Sequence, residues 1–570
     1  MIIRAGKPSF TEEEKAVQKE AGQKIVEAIR KAAADLTISS FTIPKGDYGF
    51  DVGKTLIHSM PSAILLEGLN RPDDNPLTIE AEGATFWFEF LGYPCPASAR
   101  SLHIKDSANL HIRGLTLDDY QNTDFEGDIT RFDEKNNRIA IQLSELSLPG
   151  TEEYREKAVK GSECRIIPMK KSGSFVTPLY KIDDSWGPGS LFVNKIEPTG
   201  KENEYWLYFR ADNLLKTIFT DRWKRTYGPE GTLEIGDKVS VLFAVGLFMV
   251  DNCRKMVFEG IKDYQTKGGF WENGGYGAHL WKDCYFGPRP GTPQILGGEG
   301  CMSQGLRCGS TYDGVLFHLN SDDAINIHGF WGEMLSPEGN RASFTFVPVS
   351  LLPGDVMEAY TAKGEPLGSL TVAEEPDKRV YTYNGTLDTP VTFTEPIPEK
   401  MKEKGVKFRC PNCECNHYVI RNCSFLNIYQ RLLVQNGSGV IENNVFRHMG
   451  SCISIAATPS YLEGGFLGDV TVRNNVFLDC TTHPKGVVIA IESCPEWEVL
   501  TRGGDVDISN NTFISCGRAL SVRNMKSAKI KDNVVVSPVI CDFQPASFMD
   551  SLDVLVEVSD IQFENNRFYE

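Results

Sequence analysis

Residues 297–331 hold the side chains of this sequence that are best suited to acid–base chemistry. Asp322 and Asp323 stand next to each other, and Asn326 and His328 follow them closely. Neighbouring residues on a straight strand point to opposite faces, so both carboxylates reach one site only where the backbone bends. An aspartate pair at a bend is also typical of a solvated turn. The polar residues beside this pair favour a functional site, which we expect His328 to shape rather than to catalyse.

Glu299 offers a third carboxylate to the same site. It precedes Asp322 by 23 residues, which is close to one period of the repeat described below. Stacked on adjacent rungs, the two backbones would be roughly 5 Å apart. Carboxylates this close raise the pKa of at least one of them, which gives a neutral acid beside an ionised base. Glycoside hydrolysis requires such a pair, about 5–5.5 Å apart in retaining enzymes and about 6.5–9.5 Å apart in inverting ones.

A six-residue unit in the last third of the chain predicts the elements that position these carboxylates. Its pattern is apolar-x-Asn/Asp-Asn/Cys-x-apolar, and successive copies start 21, 31, 36, 22 and 33 residues apart. A short strand, an Asn turn and a long coil per repeat are typical of a parallel β-helix, in which coils stack about 4.8 Å apart and Asn, Cys and Phe form internal ladders. The copies are IRNCSF from Ile420, IENNVF from Ile441, VRNNVF from Val472, ISNNTF from Ile508, IKDNVV from Ile530 and FENNRF from Phe563.

The expected fold is therefore all-β, a right-handed parallel β-helix with an N-terminal helix and two inserted β-barrels. Thr11 and Glu14 form a capping-box pattern, and the helix that they begin would cover the exposed end of the first coil. Two stretches lack the Asn unit and carry Gly and Pro at hairpin spacing, which indicates antiparallel barrels. The predicted organisation is 1–149 for the helix and first coils, 150–243 for one barrel, 244–331 for central coils with the carboxylates, 332–410 for the second barrel and 411–570 for the last coils.

Composition narrows the classes of partner. Lys and Arg number 59 against 76 Asp and Glu, a net charge of −17, which argues against a nucleic-acid or polybasic membrane-binding surface. No run of about 18 apolar residues is present, so a membrane span is not expected. The 15 cysteines are scattered along the chain, and we expect most of them to be reduced, buried thiols. The first residues lack the apolar core of a signal peptide, so we expect a cytoplasmic protein, or a periplasmic or secreted one whose signal has been removed. The partner expected is a glycan substrate, and a homo-oligomer is possible.

The run DDAINIHG from Asp322 resembles the Asp-Asp-Ala-x-Asn-x-His-Gly signature of glycoside hydrolase family 110. Scattered motifs that also resemble this family cover most of the chain. The resemblance implies an exo-acting, inverting α-1,3-galactosidase on a β-helix with two barrel inserts. It implies that Asp322 is the general acid, that Asp323 and Glu299 activate water, and that no metal or cofactor takes part. The further motifs are FTIPKGDYGF, GGYGAHLWKDCYFGPRPGT, YQRLLVQ, IENNVF, YLEGG and DVTVRNNVF.

The sequence departs from this family pattern at two places in the predicted site. The family usually has Asp-Gly-x-His where this chain has Glu299 and, three residues later, Met302. The carboxylate therefore extends by one methylene, and an imidazole is absent. Tyr461 stands where the family often has Trp ahead of Glu463, and a tyrosine stacks less broadly on a sugar ring. These departures bear mainly on which sugar is bound.

Other polar and aromatic residues are predicted to bind substrate. Arginine can hold hydroxyls or a uronate carboxylate by bidentate bonds, and an aromatic ring can stack on a sugar, although a tryptophan is more often part of the core. The predicted binding set is Asn326, His328, Arg289, Arg431, Glu463, Tyr461, Trp271 and Glu272, with Trp281, Trp331 and Asp283 as less specific candidates.

The segment CPNCEC has the close spacing of a zinc-type cluster. It places Cys410, Cys413 and Cys415 ahead of His417. A zinc site usually draws its ligands from two separated pairs, and a second pair is not evident. We therefore expect structural thiols here and predict no metal.

Two other functions fit a β-helix that carries carboxylates. A polygalacturonase-like enzyme or polysaccharide lyase is one, although a lyase needs a basic proton abstractor and often Ca²⁺, and the motif contains no Lys. A glycan-binding β-helix without catalysis is the other, with the carboxylates as hydrogen-bond acceptors. The fold by itself does not decide among them.

Overall fold

The computed structural model describes the larger part of the chain, and everything below refers to that part. It comprises residues 8–52, 62–90, 100–120, 125–143, 164–171, 191–209, 215–216, 219–220, 232–242, 248–265, 269–290, 299–345, 350–376, 389–480, 487–494, 503–537, 558 and 560–569.

Three long parallel sheets form the body of the protein. The chain visits sheet 1, then sheet 2, then sheet 3, and each new strand pairs in parallel with the strand one turn earlier. This arrangement is a parallel β-helix, as the repeat predicts. Sheet 1 contains β1 (Ser40–Thr42), β4 (Leu77–Glu80), β7 (Leu110–Arg113), β16 (Val257–Glu259), β19 (Leu280–Lys282), β22 (Thr311–Asp313), β31 (Tyr418–Arg421), β34 (Gly437–Glu442), β37 (Leu467–Arg473), β40 (Gly503–Ser509), β43 (Met525–Lys531) and β45 (Asp560–Glu564).

Sheets 2 and 3 complete each coil. Sheet 2 contains β2 (Gly46–Val52), β5 (Ala84–Phe90), β8 (Thr116–Asp119), β17 (Lys262–Asp263), β20 (Tyr285–Phe286), β23 (Leu316–His318), β32 (Ser424–Leu426), β35 (Val445–Arg447), β38 (Val476–Leu478), β41 (Thr512–Ile514), β44 (Val534–Val536) and β46 (Arg567–Tyr569). Sheet 3 contains β3 (Ser62–Glu67), β6 (Arg100–Lys105), β15 (Phe248–Asp251), β18 (Phe270–Asn273), β21 (Cys301–Gln304), β24 (Ile325–His328), β33 (Leu432–Val434), β36 (Ile453–Ala456), β39 (Val487–Glu492) and β42 (Arg518–Arg523).

Asn and Phe ladders run inside the coils at the predicted positions. Each ladder Asn donates its side-chain amide to the Asn of the next coil, at 2.9–3.0 Å. The residue before each ladder Asn is Asn or Asp with φ of 53–57°, a conformation that these side chains tolerate. The phenylalanine rings stack with centroids 4.7–5.5 Å apart. The ladders are Asn444, Asn475, Asn511, Asn533 and Asn566, and Phe286, Phe317, Phe425, Phe446, Phe477 and Phe513.

The helix α1 (Glu12–Ala34) packs against the first coil. Thr11 and Glu14 form the capping box at its start. Its buried face, which includes Ile25 and Ile29, belongs to the same hydrophobic core as the coils. At its end, Arg71 donates to the carbonyl of Asp35, at 2.9 Å.

The first insert is a closed antiparallel barrel with the strand order β10-β13-β12-β11-β14-β9. Its strands are β9 (Phe125–Asp133), β10 (Arg138–Leu143), β11 (Cys164–Met169), β12 (Leu191–Pro198), β13 (Glu204–Phe209) and β14 (Lys238–Leu242). The barrel therefore begins at β9, ahead of the boundary predicted at residue 150. The prediction was wrong there because the turn at residues 134–137 that joins β9 to β10 contains neither Gly nor Pro, which were the hairpin signals used to predict the insert.

The second insert is an antiparallel six-stranded sheet with its own core. Its strands follow the order β28-β27-β30-β25-β26-β29, and a bridge between Val372 and Phe393 joins the two edges. The strands are β25 (Gly332–Glu338), β26 (Arg341–Phe344), β27 (Val356–Tyr360), β28 (Pro366–Thr371), β29 (Thr389–Thr392) and β30 (Lys407–Arg409). In and just after this insert, 3₁₀ turns lie at Glu399–Met401 and Pro411–Cys413, and another lies in the coils at Pro459–Tyr461, between β36 and β37.

Two expectations from composition can be compared with the described residues. Twelve cysteines in them are not joined in disulfide bonds, and all but Cys308 are buried. In the same residues, none of the helices has both the length and the apolar character that a membrane span requires.

Candidate active site

The corner between sheets 2 and 3 carries the predicted carboxylates. Asp322 and Asp323 lie between β23 and β24. The Gly300 amide donates to the Asp323 carbonyl at 2.9 Å, and Met302 pairs with Asn326, an offset of 24 residues. The same offset places Glu299 beside Asp323, rather than beside Asp322 as the 23-residue spacing suggests. The coil register thus brings Glu299 to the aspartate pair.

The two aspartates have different surroundings. Asp322 is partly exposed, and one of its oxygens accepts hydrogen bonds from the Gln430 side chain and, at 3.0 Å, from the Asp323 backbone. Asp323 is only 5% exposed. Arg431, on the following coil, places its Nε 3.5 Å from Asp323 Oδ1. The buried carboxylate therefore has a cation beside it, whereas its neighbour faces a neutral amide.

The outer face of β24 carries the next two predicted residues. Ile325 and Ile327 point into the core, so Asn326 and His328 point outwards, yet these two are only 4% and 2% exposed. His328 Nδ1 donates to the Gly329 carbonyl at 2.8 Å. Its Nε2 is then an acceptor, and it has no hydrogen-bond partner among the described residues.

Gln435 joins Asn326 to Glu463. Its side-chain amide donates to Asn326 Oδ1 at 3.2 Å and to Glu463 Oε2 at 2.5 Å. Glu463 is held from the other side by a backbone bridge to Phe330. Gln430 and Gln435 both stand in the YQRLLVQ motif, but only Arg431 of that motif was predicted to bind substrate, because an uncharged glutamine by itself indicates no particular chemistry.

Glu414 is a further group that sequence reasoning missed. It is 3% exposed, and burial raises its pKa to about 7 even though Arg409, 3.1 Å away, opposes this shift. The backbones of Gly329 and Gly465 pack directly on its side chain, where a Cβ on either glycine would collide with it. The two segments that carry His328 and Glu463 therefore meet at this carboxyl group.

Two predicted binding residues lie in positions unsuited to that role. Glu272 is fully buried inside the coil and accepts hydrogen bonds from Trp281, Ser310 and Tyr312, so the prediction that it binds substrate was wrong. Arg289 donates to Asp118 through Nε at 2.9 Å and through Nη2. Asp118 lies on β8, three coils before the aspartate pair, and its ion pair engages the guanidinium that was predicted to hold a sugar.

Of the aromatic candidates, Trp281 and Trp331 lie in the core, whereas Trp271 and Tyr461 are accessible to solvent. Trp281 and Trp331 are fully buried, the first stacked on Phe270 and the second packed against Phe466, so both are core residues. Trp271 is partly exposed. It pairs in register with Met302, which in turn pairs with Asn326, so Trp271 lies two coils before Asn326. Tyr461 is 60% exposed beside Glu463. Asp283 is an exposed turn residue with φ of 52°.

The cysteine segment forms a buried cluster with Asp355. Ligand atoms of Asp355, Cys410 and Cys413 lie within 4.8 Å of one another, and this group does not include Cys415 or His417. Asp355 already accepts hydrogen bonds from Arg307 at 2.6 and 3.0 Å, and two further donors, Asn412 and the Leu352 amide, complete its shell. Because donors already occupy both oxygens of Asp355, this carboxylate is better suited to a structural ion pair than to binding a metal.

Comparison with known proteins adds little to this geometry. No family model and no curated protein matches the chain. Similar solved structures include a glycoside hydrolase (9% identity, 95% of this chain and 93% of that one, TM-score 0.35) and the tailspike protein gp49 of Pseudomonas phage LKA1 (11%, 94% and 71%, 0.25). A third is the Gp54 tailspike of Acinetobacter baumannii bacteriophage AP22 in complex with capsular saccharide (10%, 95% and 67%, 0.19). At such identities and TM-scores, the chemistry of this chain has to be argued from its own residues.

Proposed function

We propose that this protein is a glycoside hydrolase, exo-acting and inverting, that cleaves a terminal α-linked sugar. The observations that carry the proposal are the register of two successive coils, in which Glu299 is level with Asp323, and the contact of 3.5 Å between Arg431 Nε and Asp323 Oδ1, with Asp322 at the same bend. Glycoside hydrolysis needs one carboxylic acid and one carboxylate on a common site. The resemblance to family 110 favours an α-1,3-galactoside-like substrate.

The surroundings of each carboxylate suggest its role. Asp322 is partly open to solvent at the bend, and the resemblance to family 110 implies that it is the acid that delivers a proton to the leaving oxygen. Asp323 lies beside Arg431, and a nearby cation favours the ionised form of a carboxylate. We assign Asp322 as general acid, and Asp323 with Glu299 as the groups that activate water.

Sugar recognition is assigned to the adjoining face of sheet 3. His328 Nε2 is a buried acceptor for a sugar hydroxyl, and the linked side chains of Asn326 and Glu463 offer further polar contacts. Tyr461 is exposed enough to stack on a sugar ring. An enclosed set of hydrogen-bonding groups of this kind selects a hydroxyl pattern.

The test is product release from terminal α- and β-glycosides, including linear α-1,3-galactosides, by the wild type and by Asp322→Asn. We expect wild-type turnover with the inverted anomer formed first, as followed by NMR, and a loss of about 100-fold or more in the variant. Asp74→Asn is the matched control, because Asp73 and Asp74 form an exposed aspartate pair elsewhere.

Other outcomes separate the rival functions. An unsaturated uronide among the products would establish a lyase instead. Glycan binding by both proteins, with no turnover on any substrate, would favour a binding module. Equal turnover in wild type and Asp322→Asn would refute the assignment of the acid.

A further inference from the structure

A serine, a histidine and an aspartate meet on the first coils of sheet 3, away from the carboxylate site. Ser62 Oγ lies 3.3 Å from His103 Nδ1, and His103 Nε2 lies 3.5 Å from Asp251 Oδ2. The three residues belong to β3, β6 and β15, which are consecutive strands of the sheet. A nucleophile, a base and a group that orients the base are the parts of an activated serine, and these distances are often looser in a ligand-free protein than in the complex.

The protonation state of His103 suits a general base. With a proton on Nε2 directed at Asp251, Nδ1 is the acceptor atom, and Ser62 Oγ at 3.3 Å and Arg100 Nη1 at 3.0 Å both lie within reach of it. Burial lowers the pKa of His103 below its usual value, and Arg100 and Lys105 lower it further while Asp251 opposes them. The imidazole is therefore neutral near pH 7, as proton acceptance requires.

Arg100 supplies a positive charge beside the serine. It pairs with Ser62 in the register of β3 and β6, and its side chain is almost fully buried. Its Nη1 lies 3.0 Å from Nδ1 and 3.1 Å from Nε2 of His103. Because this guanidinium contacts the same imidazole nitrogen as Ser62 Oγ, it can turn from Nδ1 to an oxyanion that forms on a carbonyl attacked by Ser62, which leaves Nδ1 to take the Ser62 proton.

We propose that Ser62, His103 and Asp251 form a second catalytic site, which hydrolyses carboxylic esters of short acyl groups. Ser62 Oγ would attack the ester carbonyl carbon and pass its proton to His103 Nδ1, and the departing alkoxide would take that proton as the C–O bond breaks. Water then attacks the acyl-serine, returns the proton to Ser62 through His103 and releases the carboxylic acid. The acyl group is short because His103 and Asp251 are nearly buried and only Ser62 is partly exposed.

This site acts independently of the glycosidase proposed above. β15 and β24 are three coil steps apart, about 15 Å along the helix axis. Asp322→Asn should therefore leave ester hydrolysis unchanged, and Ser62→Ala should leave glycoside hydrolysis unchanged. Failure of one proposal does not affect the other.

The test combines a fluorophosphonate probe with p-nitrophenyl acetate as substrate. We expect wild-type protein to carry the phosphonyl group on Ser62, as identified by peptide mass spectrometry. Ser62→Ala and His103→Gln should each lower acetate release by about 100-fold or more, and His103→Gln should also abolish labelling. Ser40→Ala, at an exposed serine on β1, is the control, and thermal melting shows that each variant is folded. Absence of label on Ser62, or equal acetate release by wild type and Ser62→Ala, would overturn the proposal.

Discussion

At the scale of the residue, Gln435 connects the two sides of the candidate site, β24 and the segment that carries Glu463. Its buried amide spans from Asn326 to Glu463, at 3.2 and 2.5 Å. Gln435→Met keeps the length of the side chain but removes both hydrogen bonds, so Glu463 loses its fixed position. We expect turnover to fall by about 10-fold or more and the free energy of unfolding to fall by about 1–3 kcal/mol.

Steady-state kinetics and urea unfolding measure these two effects. Gln142→Met is the control, because Gln142 is an exposed glutamine of the barrel with bonds only to loop carbonyls. Unchanged kinetics in Gln435→Met would mean that the link between Asn326 and Glu463 does not contribute to the site.

Glu414 predicts a pH dependence of stability. Its pKa is raised by burial to about 7 in the folded protein, against an ordinary value of 4.5. The folded state therefore holds this proton more tightly than the unfolded state, and the stability that it contributes below pH 4.5 is lost as the pH rises to about 7. Glu414→Gln removes this loss. Across that pH range, the free energy of unfolding of the variant should therefore rise relative to that of the wild type, by at most about 3 kcal/mol.

Urea unfolding of both proteins between pH 4 and pH 8 tests the prediction. Glu399→Gln, at a fully exposed position, should show no such divergence from the wild type. A constant difference between wild type and Glu414→Gln at every pH would contradict the raised pKa.

At the scale of the element, the Asn ladder holds consecutive coils together. The Asn475 side chain accepts from both nitrogens of Asn444 and donates to Asn511 and to the Ile441 carbonyl, at 2.9–3.0 Å and fully buried. Asn475→Ala leaves several buried groups without partners, so we expect the free energy of unfolding to fall by about 3–5 kcal/mol. Asn566→Ala, in the last coil of the ladder, should lower the free energy of unfolding by clearly less.

Hydrogen exchange gives the spatial signature of this defect. Each coil of a solenoid contacts only its neighbours, so faster exchange in Asn475→Ala should be confined to the coils of β34, β37 and β40. Uniformly faster exchange along the whole chain would contradict a ladder that acts coil by coil.

The Asn unit is also the reason why the sequence predicts this fold so well. In each unit, an Asn or Asp with positive φ makes the turn, and the Asn that follows it donates to the next coil, so a local sequence pattern directly predicts a contact between coils. The barrel boundary lacks such a signature, since the turn that joins β9 to β10 at residues 134–137 contains neither Gly nor Pro. In the site, Asp322 and Asp323 can be recognised from their residue type. The role of Gln435 depends instead on its contact with Asn326, 109 residues earlier in the chain. Contacts across stacked coils depend on insert lengths that no local pattern encodes.

At the scale of the whole molecule, the two ends of the β-helix differ. At the start, β1, β2 and β3 are edge strands, and α1 packs on this first coil, mainly against β2. At the other end, β45 and β46 are edges with exposed side chains such as Ile561 and Tyr569. Unpaired strand edges template association with other chains, so the contact of α1 with the first coil protects one end.

Gly22 is the position where that contact can be broken. A Cβ on this glycine would lie 2.4 Å from the Gly49 carbonyl oxygen on β2, so the backbones of helix and strand touch directly. Gly22→Leu forces α1 away from the coil and exposes the edges of β1–β3. We expect a loss of about 3 kcal/mol or more and the appearance of oligomers, measured by urea unfolding and by light scattering after gel filtration. Gln23→Leu adds the same side chain on the exposed face of α1, and it should remain as stable and as dispersed as the wild type. If both variants behaved alike, added hydrophobicity rather than loss of the helix contact would be the cause.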